Sequence, residues 1–161
     1  MNVKRLKNQV FVFLVMLFVI SLNPAASYAA EQSGKVALTP PPPKEMQIQS
    51  FFDPSNKYLD QGKAFIKDNL NQSVTVSVIT EAKSDVTSIG GTVYLQKWTG
   101  SEWIDVGSGT TIQDSNTWYF SGEVVKSVEK GYYFRARVMH WISNNGTYEQ
   151  GQTTSDYILA G

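Results

Sequence analysis

Apolar and polar residues alternate through most of the chain beyond residue 60. From Ser73 to Thr80, Val74, Val76 and Val78 fall on one side and Ser73, Thr75 and Ser77 on the other. A period of two marks a strand with one buried face. The same rhythm runs from Thr92 to Trp98, with Val93 and Leu95 on one face and Thr92, Tyr94, Gln96 and Trp98 on the other. Gly90-Gly91, just ahead, permits a bend or bulge between these two strands. Thr99-Gly100-Ser101 predicts a turn, and Glu102 to Val106 the returning arm of a hairpin. Gly107 to Gly109 breaks the pattern, and Thr117 to Val125 resumes it with Trp118, Phe120 and Val124. Lys63 to Lys67 predicts a short first strand and Thr153 to Leu159 a last one.

Gly131 to Trp141 carries the sharpest alternation. Tyr132, Phe134, Ala136, Val138 and His140 share one face, apolar with a polar end. Tyr133, Arg135, Arg137, Met139 and Trp141 share the other, which is aromatic and basic. Asn144-Asn145-Gly146 then signals a tight hairpin turn. About seven short strands rich in Val, Thr, Tyr and Trp predict an all-β fold, a single antiparallel β-sandwich over residues 51–161. No helix is predicted in that domain.

The N-terminus has a different grammar. Lys4, Arg5 and Lys7 precede an apolar run from Val10 to Leu22, and Ser27 and Ala29 supply small residues behind it. This order predicts a secretory signal peptide over residues 1–29, cleaved after Ala29 or, as the alternative, after Ala30. The apolar run is shorter than the roughly 20 residues a membrane-spanning helix needs. Residues 30–50, with the run Pro40 to Pro43, read as a stiff, extended, disordered tether.

The stretch Tyr132-x-Phe134-x-Ala136-x-Val138 resembles the strand of a fibronectin type III or immunoglobulin-like sandwich in which a tyrosine caps a corner and alternate residues fill the core. The resemblance implies a structural tyrosine corner at Tyr132. Tyr94-Leu95-Gln96-Lys97-Trp98, Trp103-Ile104-Asp105-Val106, Gly131-Tyr132-Tyr133-Phe134-Arg135-Ala136-Arg137 and His140 resemble a more specific group. That group is an uncharacterised family of small secreted proteins from Gram-positive, often spore-forming bacteria. The likeness spans roughly Tyr58 to Leu159 and implies fold and export, not an activity.

Charge and composition narrow the chemistry. The 161 residues carry 14 basic and 14 acidic side chains. Loss of Lys4, Arg5 and Lys7 with the signal peptide leaves an acidic chain, without the basic stripe that nucleic-acid binding draws on. The chain has no cysteine. That excludes disulfides, thiolate metal sites and a lipid-modified cysteine, and it suits export by a Gram-positive cell.

Catalytic residues are not in evident supply. His140 is the only histidine, and it ends an apolar strand face; no G-x-S-x-G elbow accompanies it. A buried, hydrogen-bonded structural role is expected for it. Glu102, Asp105, Glu123 and Glu149 show no spacing that would fix a carboxylate pair across a cleft. Asp53, Asp60, Asp85 and Asp114 do not repeat the spacing of a calcium loop. No cofactor, metal or enzymatic activity is expected.

The abundant aromatics point instead to binding. Tyr133, Arg135, Arg137 and Trp141 on one strand and Tyr94, Gln96 and Trp98 on its neighbour would combine into an aromatic-basic surface suited to sugar rings or a protein partner. The competing reading is that the arginines merely lay their stems across the rings as a soluble cover. The expected function is an extracellular binding module for a protein or a cell-envelope glycan, with no membrane attachment after cleavage. A self-associating structural or matrix-type protein is the alternative, and a hydrolase stands third.

Overall fold

The computed structural model describes residues 34–44 and 50–161 of the chain. The expected signal peptide at 1–29 lies outside the described residues. Seven strands follow in order: β1 (Ser50–Phe52), β2 (Leu59–Asp68), β3 (Ser73–Trp98), β4 (Trp103–Ser127), β5 (Tyr133–Asn144), β6 (Thr147–Thr154) and β7 (Ile158–Leu159). All belong to one antiparallel sheet, curled into a half-barrel. The described residues include no helix.

The path across the sheet is β1-β6-β5-β3-β2, with β4 along β3 and β7 along β5. The organising element is the β3–β4 hairpin, 26 and 25 residues long. The first half of β3 pairs with β2 and with the end of β4; its second half pairs with β5 and the start of β4. The strands expected at Ser73 to Thr80 and Thr92 to Trp98 are therefore one strand. Gly90-Gly91 does not interrupt it; the ladder to β4 slips between Glu81 and Val86 and again between Val93 and Leu95. Nor does Gly107 to Gly109 end β4. Gly107 takes a left-handed conformation (φ +71°), and the pairing resumes on either side of it.

Just past the slip at 81–86, the inward phase of β3 changes. Even-numbered Val74, Val76, Val78, Thr80, Ala82 and Val86 face inward; beyond Val86, odd-numbered Ile89, Val93 and Leu95 do. A change of phase by one residue turns a strand over, so one strand presents apolar residues to the core from both of its halves. Leu59, Phe120, Val124, Ala136, Val138 and Ile142 complete the main cluster. Phe134, Val74, Leu95 and Ala160 form a second cluster at the other end.

Curling brings β2 against β5 and β6, with which it shares no ladder. At this contact a Cβ on Gly62 would lie 2.5 Å from the His140 ring, so only glycine leaves room for the imidazole. His140 is fully buried. Its Nδ1 lies 2.7 Å from Thr80 Oγ1 on β3, and its Nε2 lies 2.7 Å from Thr153 Oγ1 on β6. The Thr80 hydroxyl donates to the Gly90 carbonyl at 3.1 Å. It has one proton, so it accepts from His140 Nδ1–H, and Thr153 donates to Nε2. The three polar side chains stitch three strands together inside the core.

At the C-terminus the expected strand from Thr153 to Leu159 is two, β6 and β7, separated where Ser155 turns inward. Ser155 N–H donates to the Ala136 carbonyl, and Ser155 Oγ accepts from the Ala136 N–H, both at 2.9 Å. The proline segment also departs from expectation. Residues 35–44 are not a free tether but lie against the sheet: Leu38 N–H donates to the Gly131 carbonyl, and Pro40 O accepts the Trp98 indole N–H. Residues 45–49 lie outside the described residues.

Candidate binding face

Strand β5 sorts its side chains cleanly. Phe134, Ala136, Val138, His140 and Ile142 are buried, whereas Tyr133, Arg135, Arg137, Met139 and Trp141 are half-buried on the outer face. Register carries this face across the sheet. Tyr94 on β3 stands opposite Arg137, and Gln96 opposite Arg135. One strand further, Gln96 pairs with Asp105 and Trp98 with Trp103 on β4.

The polar groups on this face bond to one another. Arg137 Nη2 meets Asp105 Oδ2 at 2.8 Å, and its guanidinium sits 4.3 Å from the centre of the Tyr94 ring. Arg135 Nε donates to Gln96 Oε1 at 2.8 Å and covers the Trp103 ring at 4.4 Å. Gln96 Nε2 donates to Asp105 Oδ1 at 2.8 Å. The Gln96 bond, and then the Arg137 bond and charge, hold the Asp105 carboxyl below its usual range. Two cations, an amide and a carboxylate are thus locked in place rather than swinging in solvent.

The rings form a chain beside them. Trp98 and Trp103 are 5.4 Å apart, Trp103 and Tyr157 are 6.2 Å apart, and Tyr157 meets Tyr133 edge-on at 5.7 Å. At the far end of β5, Trp141 stacks on Tyr148 of β6 at 6.3 Å. Tyr148 is 61% exposed. Such offset and edge contacts suit the ring quadrupoles.

Of the residues singled out in the sequence, Tyr94, Tyr133, Arg135, Arg137 and Trp141 share the outer face and remain partly accessible. Two do not. Trp98 is only 6% exposed and Gln96 only 9%. Trp98 points to the expected side, but Pro40 crosses over its indole nitrogen at 3.0 Å; Gln96 is held between Arg135 and Asp105. Tyr132 is half-buried just before β5, its carbonyl accepting from Ala160 N–H and its ring lying 3.4 Å below the Lys97 ammonium.

Sequence reasoning passed over Trp103, Asp105, Tyr148 and Tyr157 as parts of this face. The first two were within reach: a hairpin closed by Thr99-Gly100-Ser101 sets Trp103 opposite Trp98. Tyr148 follows from the two-residue turn at Asn145-Gly146, which pairs Asn144 with Thr147. Tyr157 lies between β6 and β7 and carries no periodic signal.

Elsewhere, an open groove of about 350 Å³ separates β2 from β1 and β6, lined by Phe52, Gly62, Phe65 and Thr153. Among the described residues, no group of three or more His, Asp or Glu side chains is placed to hold a metal ion. No family model matches the chain, and no curated protein matches it either.

Proposed function

We propose that this chain is a secreted, non-catalytic binding module that uses the outer face of β3, β4 and β5 to hold an extracellular protein or a cell-envelope glycan. The observation that carries the reading is the set of half-exposed rings on β5 and its neighbours, interleaved with arginine, amide and carboxylate groups already fixed by mutual bonds. Fixed aromatic plates flanked by fixed polar groups lose little entropy when a ligand covers them. The positively charged, apolar and small-residue order of residues 1–29 supports export. In this reading the two arms of the curled sheet act as the layers of an immunoglobulin-like sandwich, with Tyr132 at its corner. The resemblance to an uncharacterised Gram-positive secreted family points the same way.

The test is a titration of the chain lacking residues 1–29 with soluble cell-wall glycan fragments, followed by tryptophan fluorescence and by chemical shifts of the indole N–H groups. Saturable shifts centred on Trp141 and Trp103, abolished in an Arg137→Ala/Trp141→Ala variant of unchanged melting temperature, are expected for a glycan ligand. Shifts that fall elsewhere, or binding indifferent to the double substitution, would defeat the assignment of this face.

A second reading has its own support. Strand β4 pairs with β3 alone, and its other edge has no partner strand among the described residues. Ile104, Val106, Trp118, Tyr119 and Val125 along it are exposed. Long apolar edges invite pairing with another copy, as in a self-associating structural protein. Bulges with positive φ at Gly107 and Asn116 break the edge into shorter pieces, which opposes it. Sedimentation at low and high micromolar concentration distinguishes the two: a constant monomer removes the second reading.

A further inference from the structure

Residues 35–44 cross one end of the sheet in a form without regular secondary structure, and they are gripped at several points. The Lys35 ammonium enters a notch made by the Asp68 carboxylate, at 2.5 Å, and the Leu159 carbonyl, at 2.8 Å. Asp68 is held for this purpose by the backbone N–H groups of Leu70 and Gly161. Leu38 N–H donates to Gly131 O at 2.8 Å. Pro40 O, five residues beyond Lys35, accepts the Trp98 indole N–H at 3.0 Å, and Pro42 is buried.

This is the chemistry of peptide capture. A proline run is already extended, forms no internal hydrogen bonds and turns its carbonyls outward. An indole N–H can only donate, so a tryptophan at the floor of an aromatic groove is matched to such a carbonyl. Trp103 packs beside this indole, 5.4 Å from it. The walls are shaped for a passing backbone. Gly131 has φ +84°, and a Cβ there would come within 2.8 Å of the Leu38 side chain. Gly100, in the β3–β4 turn, leaves an ordinary contact distance to Thr39 and Pro40.

We propose that this end of the sheet is a recognition groove for an extended polyproline peptide led by a lysine five residues before the anchoring carbonyl, and that residues 35–44 are its resident ligand. The groove shares Trp98 with the outer face, but its other anchors, Asp68, the Leu159 carbonyl and the Gly131 carbonyl, lie apart from the residues assigned to that face, so it stands or falls separately from the binding face above. Tethering gives the resident segment an effective concentration on the order of millimolar. A free peptide therefore enters efficiently only when the arm is weakened or displaced.

The experiment uses the chain from residue 30 to 161 carrying Lys35→Ala, Pro40→Gly and Pro42→Gly, which remove the ammonium and the extended bias while leaving the groove unaltered. The probe is a synthetic peptide of residues 35–44. Its addition is expected to return the Trp98 indole resonance, assigned with Trp98→Phe, to its position in the unsubstituted chain. The return should saturate, and a peptide with its prolines replaced by alanine should bind about tenfold more weakly for want of a preorganised backbone. No movement of the Trp98 resonance, or equal binding of the alanine peptide, overturns the proposal. Hydrogen exchange in the unsubstituted chain provides an independent reading if the variant does not fold. Exchange of the Leu38 amide well ahead of the Val138 amide shows an arm that leaves while the sheet stays folded, as a ligand must. Exchange of both only by global unfolding makes the arm a permanent part of the core and overturns the proposal as well.

Discussion

Acid should destabilise this protein through one side chain, His140, well before its carboxylates titrate. Burial lowers the His140 pKa from 6.5 to about 4. The groups against it are Thr80 on β3, Thr153 on β6, Phe52 on β1 and Gly62 on β2, and none of them titrates. No carboxylate is at hand to welcome a proton, so desolvation acts alone. The folded form therefore resists protonation while the unfolded chain accepts it at the ordinary pKa. Well above pH 6.5 both states are neutral at this site and nothing depends on pH. As pH falls from 6.5 towards 4 the unfolded state gains protons that the folded state refuses, and stability is lost. At 1.36 kcal/mol per pKa unit the loss approaches about 3 kcal/mol, of which about 2 kcal/mol is already gone at pH 5.

The assay is urea unfolding followed by tryptophan fluorescence at steps between pH 7.5 and 4.5. With a slope of about 1–2 kcal/mol per molar, the midpoint should move down by about 1–2 M urea between pH 7 and pH 5. His140→Gln keeps a donor and an acceptor but does not titrate, so its midpoint should stay nearly level over the same range. Asp53, Asp68, Asp105 and Glu149 all have lowered pKa values. Their contributions are present above the ordinary carboxylate range and fade only as pH falls through it, so they leave the upper part of this window clean. A midpoint that does not move between pH 7 and pH 5, or an equal slope in His140→Gln, would refute the argument that an uncompensated buried imidazole governs this range.

Three further outcomes follow from the packing. Gly62→Ala places a methyl 2.5 Å from the His140 ring and should cost about 1–3 kcal/mol in urea melts, the usual range for overpacking. Glu149 accepts the consecutive N–H groups of Lys57, Tyr58 and Leu59 at 2.7–2.8 Å; Glu149→Ala should lower stability by about 1–2 kcal/mol and speed amide exchange at those three positions before any other. Arg137→Ala removes a partly exposed ion pair with Asp105 and should change stability by less than about 1 kcal/mol, so any large loss of ligand binding in that variant reports on the face and not on folding.

The sequence rhythm carried the all-β class and the inner and outer faces of β5, because both are local. Alternation past Gly131 needs no knowledge of the neighbours to say that Val138 and Arg137 point apart. The two phases of β3 were equally visible, even residues inward at Val74 to Val78 and odd ones at Val93 and Leu95. What joins them was not. Lys83, Ser84 and Asp85 are polar and exposed, and in a one-dimensional pattern such a stretch reads as a loop. Only the pairing of the whole strand with β4 shows that the backbone stays extended through the slip. Trp98 was misjudged for a related reason. Its direction was right, but its burial depends on Pro40, 58 residues earlier, and no periodicity reports a cover supplied from so far away.

The same distinction bears on how the outer face works. An exposed arginine on a strand is ordinarily a mobile, hydrated charge, and a ligand that binds it must immobilise a long side chain. Here Arg135 and Arg137 lie flat over Trp103 and Tyr94, each anchored by a hydrogen bond to β3 or β4. That arrangement is also what a purely solubilising cover would use, so the bonds alone do not separate the two roles. The rings, however, are covered unevenly. The guanidinium groups sit on Trp103 and Tyr94, while Tyr148 stays 61% exposed, stacked on Trp141. Tyr148, stacked on Trp141, therefore keeps most of its surface open, and in the proposed reading a flat ligand stacks there, on the same outer face that carries the anchored guanidinium groups.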